Sequence, residues 1–517
     1  MMRQWFMKLS LINQVIKNKV VVLLAVLTAL ALILRLIFSG YLGSFWFDEY
    51  FGVYFAREPL FKMLGLLVKD TNLPFYNILL WLWIRFFGEA ETTVRLLSII
   101  LALANLPLLY LVGRRLFSKT AALTAILIYC FSPYQIFLTT EARSYSLLIF
   151  LSLLSVFFFW RLVEGRLTAG HWLGFVASNL LLAYTHLTGG FLIIAQLIYL
   201  VLKFWRQKKI LRSCFKAYLL LAFLTLPYLV FFYLSKKQTL GTIYHFLTSY
   251  DFNYFITLLA KMFADLNNPA FYIIAFNFLF PFFILGSLVV VKKIGNRRKL
   301  KISLETAPAG GFAWLLLVVF LAGGFAFHLT APRYAALISV FVYLLIGQGI
   351  ENWFKGLRWI KIIIVVLAPL IIISSLGSFF VVRDRWPRVD SCLRQLSHPE
   401  AKIIVHNFAY ELILRKYYQG NLPIEGFYPV ADDLSYGERI VLSNGRPVVN
   451  RENVGQLAEV TAGYDQIAMV EAIFVKELDP DSLVFRWFLD NGWTVEDDFC
   501  QVEGIRVFNF NRLEKDN

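Results

Sequence analysis

The stretch "VVVLLAVLTALALILRLIFS", Val20 to Ser39, carries a single charge in its whole length. An α-helix rises 1.5 Å per residue, so about 20 apolar residues bridge the roughly 30 Å hydrocarbon core of a bilayer. No small-residue cleavage site follows it, which marks a retained spanning helix and not a signal peptide. The rest of the chain has the same character. Its 517 residues are 59% hydrophobic, 17% aromatic and 16% charged, with a mean hydropathy of +0.64. Soluble domains hold about 45–50% apolar and 25% charged residues. The expected fold class is therefore mostly α, a polytopic membrane helix bundle.

Working outward, the apolar runs give about eleven spans near the length a bilayer requires. They are 20–39, 94–112, 121–138, 145–162, 172–185, 190–204, 216–234, 270–291, 312–329, 334–350 and 359–380. Alternate connections collect the basic residues: Lys8, Lys17 and Lys19; Arg114, Arg115 and Lys119; Lys203, Arg206, Lys208, Lys209 and Arg212; Lys292, Lys293, Arg297, Arg298 and Lys299; Lys355, Arg358 and Lys361. Positive loops stay in the cytoplasm, so the N-terminus is expected inside and the C-terminus outside. The formal net charge of +16 is read as this topology signal and not as a nucleic-acid footprint. "LPFYNILLWLWIRFFG", Leu73 to Gly88, is short for a span, and a crossing there would carry the Arg114–Arg115 loop to the wrong side. It is expected as a juxtamembrane helix on the outer face.

The outward segments are then 40–93, "TTEARSY" (Thr139 to Tyr145), "YTHLTGG" (Tyr184 to Gly190), 235–269 and "HLTAPRY" (His328 to Tyr334). Residues 1–383 read as the membrane domain. From 384 to 517 the composition turns polar and charge-mixed. "AKIIVHN" and "QIAMVEAIFV" look like strands and "AYELILRKYYQ" like a helix, a small extracytoplasmic α/β domain. Cys130 lies in an apolar run and Cys214 follows a basic loop. Cys392 and Cys500 share the polar C-terminal part, where pairing between them is an open alternative.

The first outer segment opens with "GSFWFDEYFGVYFAREP", Gly43 to Pro59, which sets Asp48 and Glu49 among aromatic residues at the bilayer surface. Ionisable groups beside a membrane are functional candidates because desolvating them is expensive. Here Asp48, Glu49, Asp70, Glu141, Arg143, His186 and Arg333 recur at the outer ends of spans. Arginine offers a planar fork of donors to phosphate, and a carboxylate in a partly apolar pocket is a good general base. Acid plus arginine at the lipid boundary suggests transfer of a group from a lipid-linked phosphate. Each residue also has a structural reading. Asp48 and Glu49 suit the positive end of a helix dipole. Asp70 with Asn72 suits an N-cap before Pro74. Glu141 and Arg143 suit a local pair, His186 a turn, and Arg333 a snorkelling anchor. No ligand-spaced metal cluster, phosphate-binding glycine loop or nucleophile elbow is present.

"FWFDEYFGVYFAREP", "DTNLPFYNILLWLWIRFFGEAETTVRLLSIILALANLPLLYLVGRRLF" and "SPYQIFLTTEARSYSLL", followed by "YTHLTGG" and "PRY", resemble the polytopic glycosyltransferases of the type C superfamily. Within it, the chain is similar to the bacterial branch related to protein O-mannosyltransferases and the lipid A aminoarabinose transferase. The resemblance is clear over residues 40–190 and faint after 380. It implies an inverting transfer of a sugar from a polyprenyl phosphate (undecaprenyl phosphate in bacteria) to a lipid, glycan or protein acceptor. The transfer would take place on the outer side of the inner membrane. It implies that Asp48 is the base and Asp70 the second catalytic acid, that Arg143 and Arg333 hold the donor phosphate, and that His186 lines the site. Glu49, Asn72, Glu141, Tyr145 and Tyr334 join them as substrate-binding candidates. Some relatives bind a divalent cation near their acids, which leaves Asp48 and Asp70 as candidates for one. Where the family carries a basic residue and two prolines after the second acid, this chain has Asn72, Leu73 and Pro74, which shifts phosphate neutralisation onto the arginines. The competing readings are a lipid or sugar flippase, which would bury paired charges near mid-bilayer, and a ligase using a polyprenyl diphosphate.

Overall fold

The computed structural model describes residues 19–69, 72–243, 277–284, 289–294, 297–302, 308–327, 332–354, 385–396, 400–406, 408–427, 449–472, 479–502 and 504–513, with isolated positions besides. Two compact units emerge. The first comprises Met1–Gly40, Asn72–Phe231 and Thr248–Val381. The second joins Tyr41–Thr71 and Phe232–Leu247 to Val382–Asn517, so the loop that carries Asp48 groups with the C-terminal residues.

The first unit is helical. Its elements are α1 (Lys19–Leu42), then α4 (Pro74–Phe87), α5 (Glu91–Leu116), α6 (Lys119–Phe131), α7 (Pro133–Thr140), α8 (Tyr145–Val163), α9 (Ala169–Ala183), α10 (Gly189–Phe204), α11 (Lys208–Ile243), α12 (Pro308–Ala326) and α13 (Ala336–Trp353). The helices α2 (Phe47–Arg57) and α3 (Leu60–Lys69) intervene in sequence and belong to the second unit. Among the described residues five helices are long and apolar enough to cross a membrane, six if the pair α6–α7, bent by 66°, is one broken span. The shorter apolar helices α9, α10 and Gly310–Ala326 match expected spans at 172–185, 190–204 and 312–329. The expected span at 359–380 lies largely outside the described residues. So does much of 270–291, but there Val289–Ile294 pairs antiparallel with Arg297–Ile302 as the hairpin β1–β2. The end of that expected helix and its basic loop are therefore strand. The β-branched run Val289–Val291 suits an extended backbone better than a helix end.

Hydrogen bonds and close packing hold the bundle together, since lipid is as apolar as leucine. A Cβ added to Gly347 of α13 would lie 2.6 Å from the Cα of Ala121 on α6, so this contact is backbone against backbone. Asn179 of α9 and Gln196 of α10 both bond the Ser155 hydroxyl of α8, at 2.9 and 2.8 Å, which ties the two short helices to a long one.

The bend between α6 and α7 has a specific cause. Pro133 has no N–H to give the Tyr129 carbonyl, so the ladder breaks there. Arg35, fully buried in α1, takes over. Its guanidinium donates to the Tyr129 and Cys130 carbonyls at 3.2 and 3.4 Å and to the Thr139 hydroxyl at 2.8 Å. This is the lone charge of the opening stretch, and its partners are the backbone groups that a bilayer cannot solvate.

The second unit carries a mixed sheet in the order β4–β3–β5–β7–β6, where β3 is Lys402–Val405, β4 Ile424–Gly426, β5 Gln466–Glu471, β6 Trp493–Val502 and β7 Ile505–Arg512. β3 runs parallel to β4 and β5, and the rest is antiparallel. The helices α14 (Arg385–Leu393), α15 (Glu411–Tyr417), α16 (Leu457–Thr461) and α17 (Leu483–Asp490) accompany it. Its core contains Ile404, Leu457, Met469, Phe488 and Phe510, with the Phe488 and Phe510 rings stacked at 4.3 Å. Cys392 and Cys500 form a disulfide between α14 and β6.

A buried ionic cluster crosses this sheet. His406 directs Nδ1 towards Glu471 at 3.6 Å and Nε2 towards Asp479 at 3.3 Å. Glu471 also pairs with Arg506, and Asp479 accepts the Leu483 and Val484 amides that open α17. A neutral imidazole would turn a lone pair on one carboxylate, so the site favours imidazolium. The carboxylates hold His406 above the usual histidine range against the opposing effect of burial, and His406 holds both carboxyls below theirs, again against burial.

Two outcomes are expected. Arg35→Met strips a donor from two carbonyls and a hydroxyl, at about 1–3 kcal/mol for each buried group left unsatisfied, and should lower the thermal unfolding midpoint in detergent. Wild-type stability would contradict the account. For the His406 cluster, the raised histidine stabilises fully below its unfolded pKa and that contribution is lost as pH rises through the folded value. The depressed carboxyls stabilise above their unfolded values and lose that on acidification. Hydrogen-exchange protection of β3 and β5 should peak between about pH 4.5 and 6.5, and His406→Leu should cost about 3 kcal/mol.

Candidate functional site

Within the first unit three separated turns bring their polar residues together. Glu141 ends α7, and Arg143 follows in the tight turn before α8, its amide donating to the Glu141 carbonyl at 2.7 Å. His186 lies in the turn between α9 and α10. Arg333 and Tyr334 lie in the 3-10 turn Pro332–Ala335 that leads into α13. The Tyr145 and Tyr334 rings each stand 5.9 Å from the His186 ring, one on behalf of each neighbouring turn. The Arg333 guanidinium lies 5.9 Å from the Tyr334 ring centroid.

Each turn is fixed from behind. Asn105 on α5 donates to the Tyr129 hydroxyl at 2.9 Å and to the Ser146 carbonyl at 3.2 Å, which holds the start of α8. Ser98 donates to the Arg143 carbonyl at 3.2 Å, so its 2.9 Å bond with Tyr76 must be accepted from the tyrosine. The Phe75 amide, in the first turn of α4, donates to the Tyr184 carbonyl at 3.0 Å, which binds the "NLPF" segment to the histidine turn. Tyr134 donates to the Pro332 carbonyl at 2.8 Å and anchors the third turn. Arg143, His186 and Arg333 thus each stand two or three residues ahead of a helix start, at Tyr145, Gly189 and Ala336. Helix N-termini favour negative charge, and two arginines beside them add to that field.

His186 is neutral in this setting. The Thr188 amide donates to its Nδ1 at 3.2 Å and the Thr188 hydroxyl lies 2.8 Å from the same nitrogen, so Nδ1 is an acceptor and Nε2 carries the proton. Burial, and then the positive charges of Arg143 and Arg333, push its pKa down to about 3. The imidazole can therefore donate one N–H without adding charge. An anion between the arginines would remove part of the force that depresses it.

The other expected residues are placed as follows. Asn72 is half-buried at the start of the segment joined to Tyr184. Glu141 is 3% exposed and Tyr145 1%. Asp48 and Glu49 belong to the second unit, in the first turn of α2. Glu49 is buried there and accepts the Trp46 amide at 3.4 Å, a closure of the helix start. Asp48 is half-buried. Asp70 lies outside the described residues, and among these no group of three or more His, Cys, Asp or Glu side chains is arranged to hold a metal. Two features went unread in the sequence. The charge within Val20–Ser39 was visible, but nothing local named its partners at the α6–α7 break. Thr188, which sets the His186 tautomer, gives no signal beyond its spacing.

These elements define a membrane-embedded helical bundle with an anion-favouring cluster at its helix starts. Residues 71–232, about a third of the chain, match the dolichyl-phosphate-mannose-protein mannosyltransferase family. The fold is similar to that of ArnT from Cupriavidus metallidurans bound to undecaprenyl phosphate. The TM-score is 0.53 at 12% identity, over 94% of this chain and 97% of that one. The apo state of the same protein gives a TM-score of 0.50 at 12% identity, over 85% and 88%. No curated protein matches the chain. Residues 71–232 are thus similar to that mannosyltransferase family, and the fold is shared with the ArnT structures.

An NMR titration of labelled histidine should show His186 neutral throughout the pH 5–8 window in which an ordinary imidazole titrates. Inorganic phosphate should raise its pKa. A free-protein midpoint near the ordinary value would contradict the tautomer and charge assigned here.

Proposed function

We propose that this protein is a glycosyltransferase of the type C superfamily, and that it moves a sugar from a polyprenyl-phosphate donor to a hydroxyl of an envelope lipid, glycan or protein, with inversion at the anomeric carbon. The observation that carries the reading is the assembly of Arg143, Arg333 and a neutral His186 from three separate turns, each just ahead of a helix start. Phosphate leaving with a full second charge needs preorganised donors and positive charge, and these supply both without a proton transfer. In the proposed step Asp48 takes the acceptor proton, the acceptor oxygen bonds the anomeric carbon, and the bond to the phosphate oxygen breaks with its electron pair on the polyprenyl phosphate. Asp70 acts as the second acid. Glu49 supports the turn that carries Asp48, and Tyr145 and Tyr334 confine the imidazole.

The proposed setting is a bacterial inner membrane, with the chemistry on its extracytoplasmic face. The Cys392–Cys500 disulfide supports that orientation for the second unit, since disulfides persist in oxidising compartments. The expected topology agrees, with basic loops inside and the C-terminus outside.

Purified full-length protein given undecaprenyl-phosphate-linked sugars and an envelope extract tests the reading. Asp48→Asn should bind undecaprenyl phosphate normally and lose transfer by about 10²–10⁴-fold, the usual contribution of a general base. Arg143→Met and Arg333→Met should each weaken undecaprenyl phosphate binding by about 1.5–3 kcal/mol. Transfer by Asp48→Asn at the wild-type rate would remove the base, and unchanged binding by both arginine variants would remove the phosphate site.

A further inference from the structure

Within the second unit, the start of α2 is seated on C-terminal residues. The Phe45 amide donates to the Tyr417 hydroxyl at 2.8 Å, across 372 positions of sequence. The Phe47 ring packs on Tyr410 at 4.9 Å, and Tyr410 in turn packs on Trp386 at 5.8 Å. The Lys416 ammonium stands over the Phe45 and Tyr50 rings at 5.4 and 5.9 Å. Asp48 is thus flanked along the chain by residues that are all held by 386–417. Its carboxylate and the Arg385 guanidinium both act on Tyr410: burial chiefly raises that hydroxyl's pKa, Asp48 raises it further, and Arg385 lowers it. Asp48, Tyr410 and Arg385 therefore share one electrostatic neighbourhood. Charged and titratable groups at this helix start include Glu49, Tyr50 and Arg57 from α2, and Tyr410, Lys416 and Tyr417 from 408–417.

We infer that Tyr410 and Tyr417 are positioning residues for Asp48, and that the C-terminal residues serve the reaction by holding the turn that carries the proton acceptor in place. The inference rests on Asp48 being the base. Tyr417 holds the Phe45 amide, three residues ahead of the acid. Tyr410, buried, supplies the ring that seats Phe47, the residue before the acid. A catalytic acid on an outer loop needs such a seat, because a misplacement of about 1 Å costs on the order of 10²-fold in rate.

The test measures kcat and KM for undecaprenyl phosphate release from an undecaprenyl-phosphate-linked sugar by the full chain in nanodiscs, with an envelope extract supplying the acceptor hydroxyl. Tyr417→Phe keeps its ring, loses the bond to the Phe45 amide and should lower kcat about tenfold with donor KM unchanged. Tyr410→Ala removes the seat of Phe47 and should lower kcat about tenfold with donor KM unchanged, and Tyr410→Phe, which keeps the ring, should restore most of it. The Cys392–Cys500 bond and undecaprenyl phosphate binding report folding in each variant. Wild-type kcat in both Tyr410→Ala and Tyr417→Phe overturns the inference while leaving the base in place, provided Asp48→Asn is inactive. A fully active Asp48→Asn overturns the reading of the base, and the inference with it.

Discussion

A bilayer offers no water to an unpaired carbonyl, and this constraint governs how the first unit can bend. The break between Phe131 and Pro133 would leave the Tyr129 and Cys130 carbonyls, both in fully buried residues, without a partner inside the bundle. Arg35 satisfies both and reaches Thr139 on the far side of the break, so one side chain on α1 spans the 66° bend. The direction of α7, and with it the place where Glu141 and Arg143 emerge, follows from that contact. A charged group deep in an apolar helix is costly, and here its cost is offset by removing a larger one. The phosphate-binding cluster proposed above thus depends on a residue that belongs to none of its turns.

The second unit solves a different problem. Its sheet is small and two of its strands are short, so local interactions carry more of its integrity. The disulfide ties α14 to β6, and the His406 cluster links β5 to the start of α17 through Glu471 and Asp479. Paired buried charges are weak evidence for stability but strong evidence for a single arrangement, since any slip strands one of them. That rigidity suits a unit on which the Asp48-bearing turn is seated through Phe45, Phe47 and Tyr50.

Much of this architecture was legible from composition, because the length of an apolar run is a local property and a bilayer reads it locally. Val20–Ser39, 94–112 and 145–162 therefore correspond closely to α1, α5 and α8, and "AKIIVHN" and "QIAMVEAIFV" correspond to β3 and β5. Hydropathy was a poorer guide where β-branched residues carry the apolar signal, and Val289–Val291 is strand. The turns "EARSY", "YTHLTGG" and "PRY" could be picked out as polar interruptions, but their meeting could not. Their partners, such as Ser98 for Arg143 and Tyr134 for Pro332, lie 45 and 198 positions away. The grouping of Tyr41–Thr71 with the C-terminal residues was invisible for the same reason: the bond from Phe45 to Tyr417 leaves no trace in either segment's composition.

The placement of charge also separates a transferase from a transporter. A transporter that carries a charged headgroup through the bilayer needs ionisable residues near mid-membrane that can exchange partners, on helices broken to expose backbone. The one broken helix among the described residues is locked by a fully buried arginine bonded to two carbonyls, a hydroxyl and, at 3.3 Å, the Ala31 carbonyl of its own helix. Such a guanidinium has no freedom to exchange. The groups suited to a ligand, Arg143, His186 and Arg333, stand instead at helix starts, where positive dipole ends reinforce them and where their own turns are pinned by Ser98, Thr188 and Tyr134. Charge fixed at the ends of spans and backbone satisfied within them describe a site that holds one anion still, which is what stabilising a departing phosphate requires.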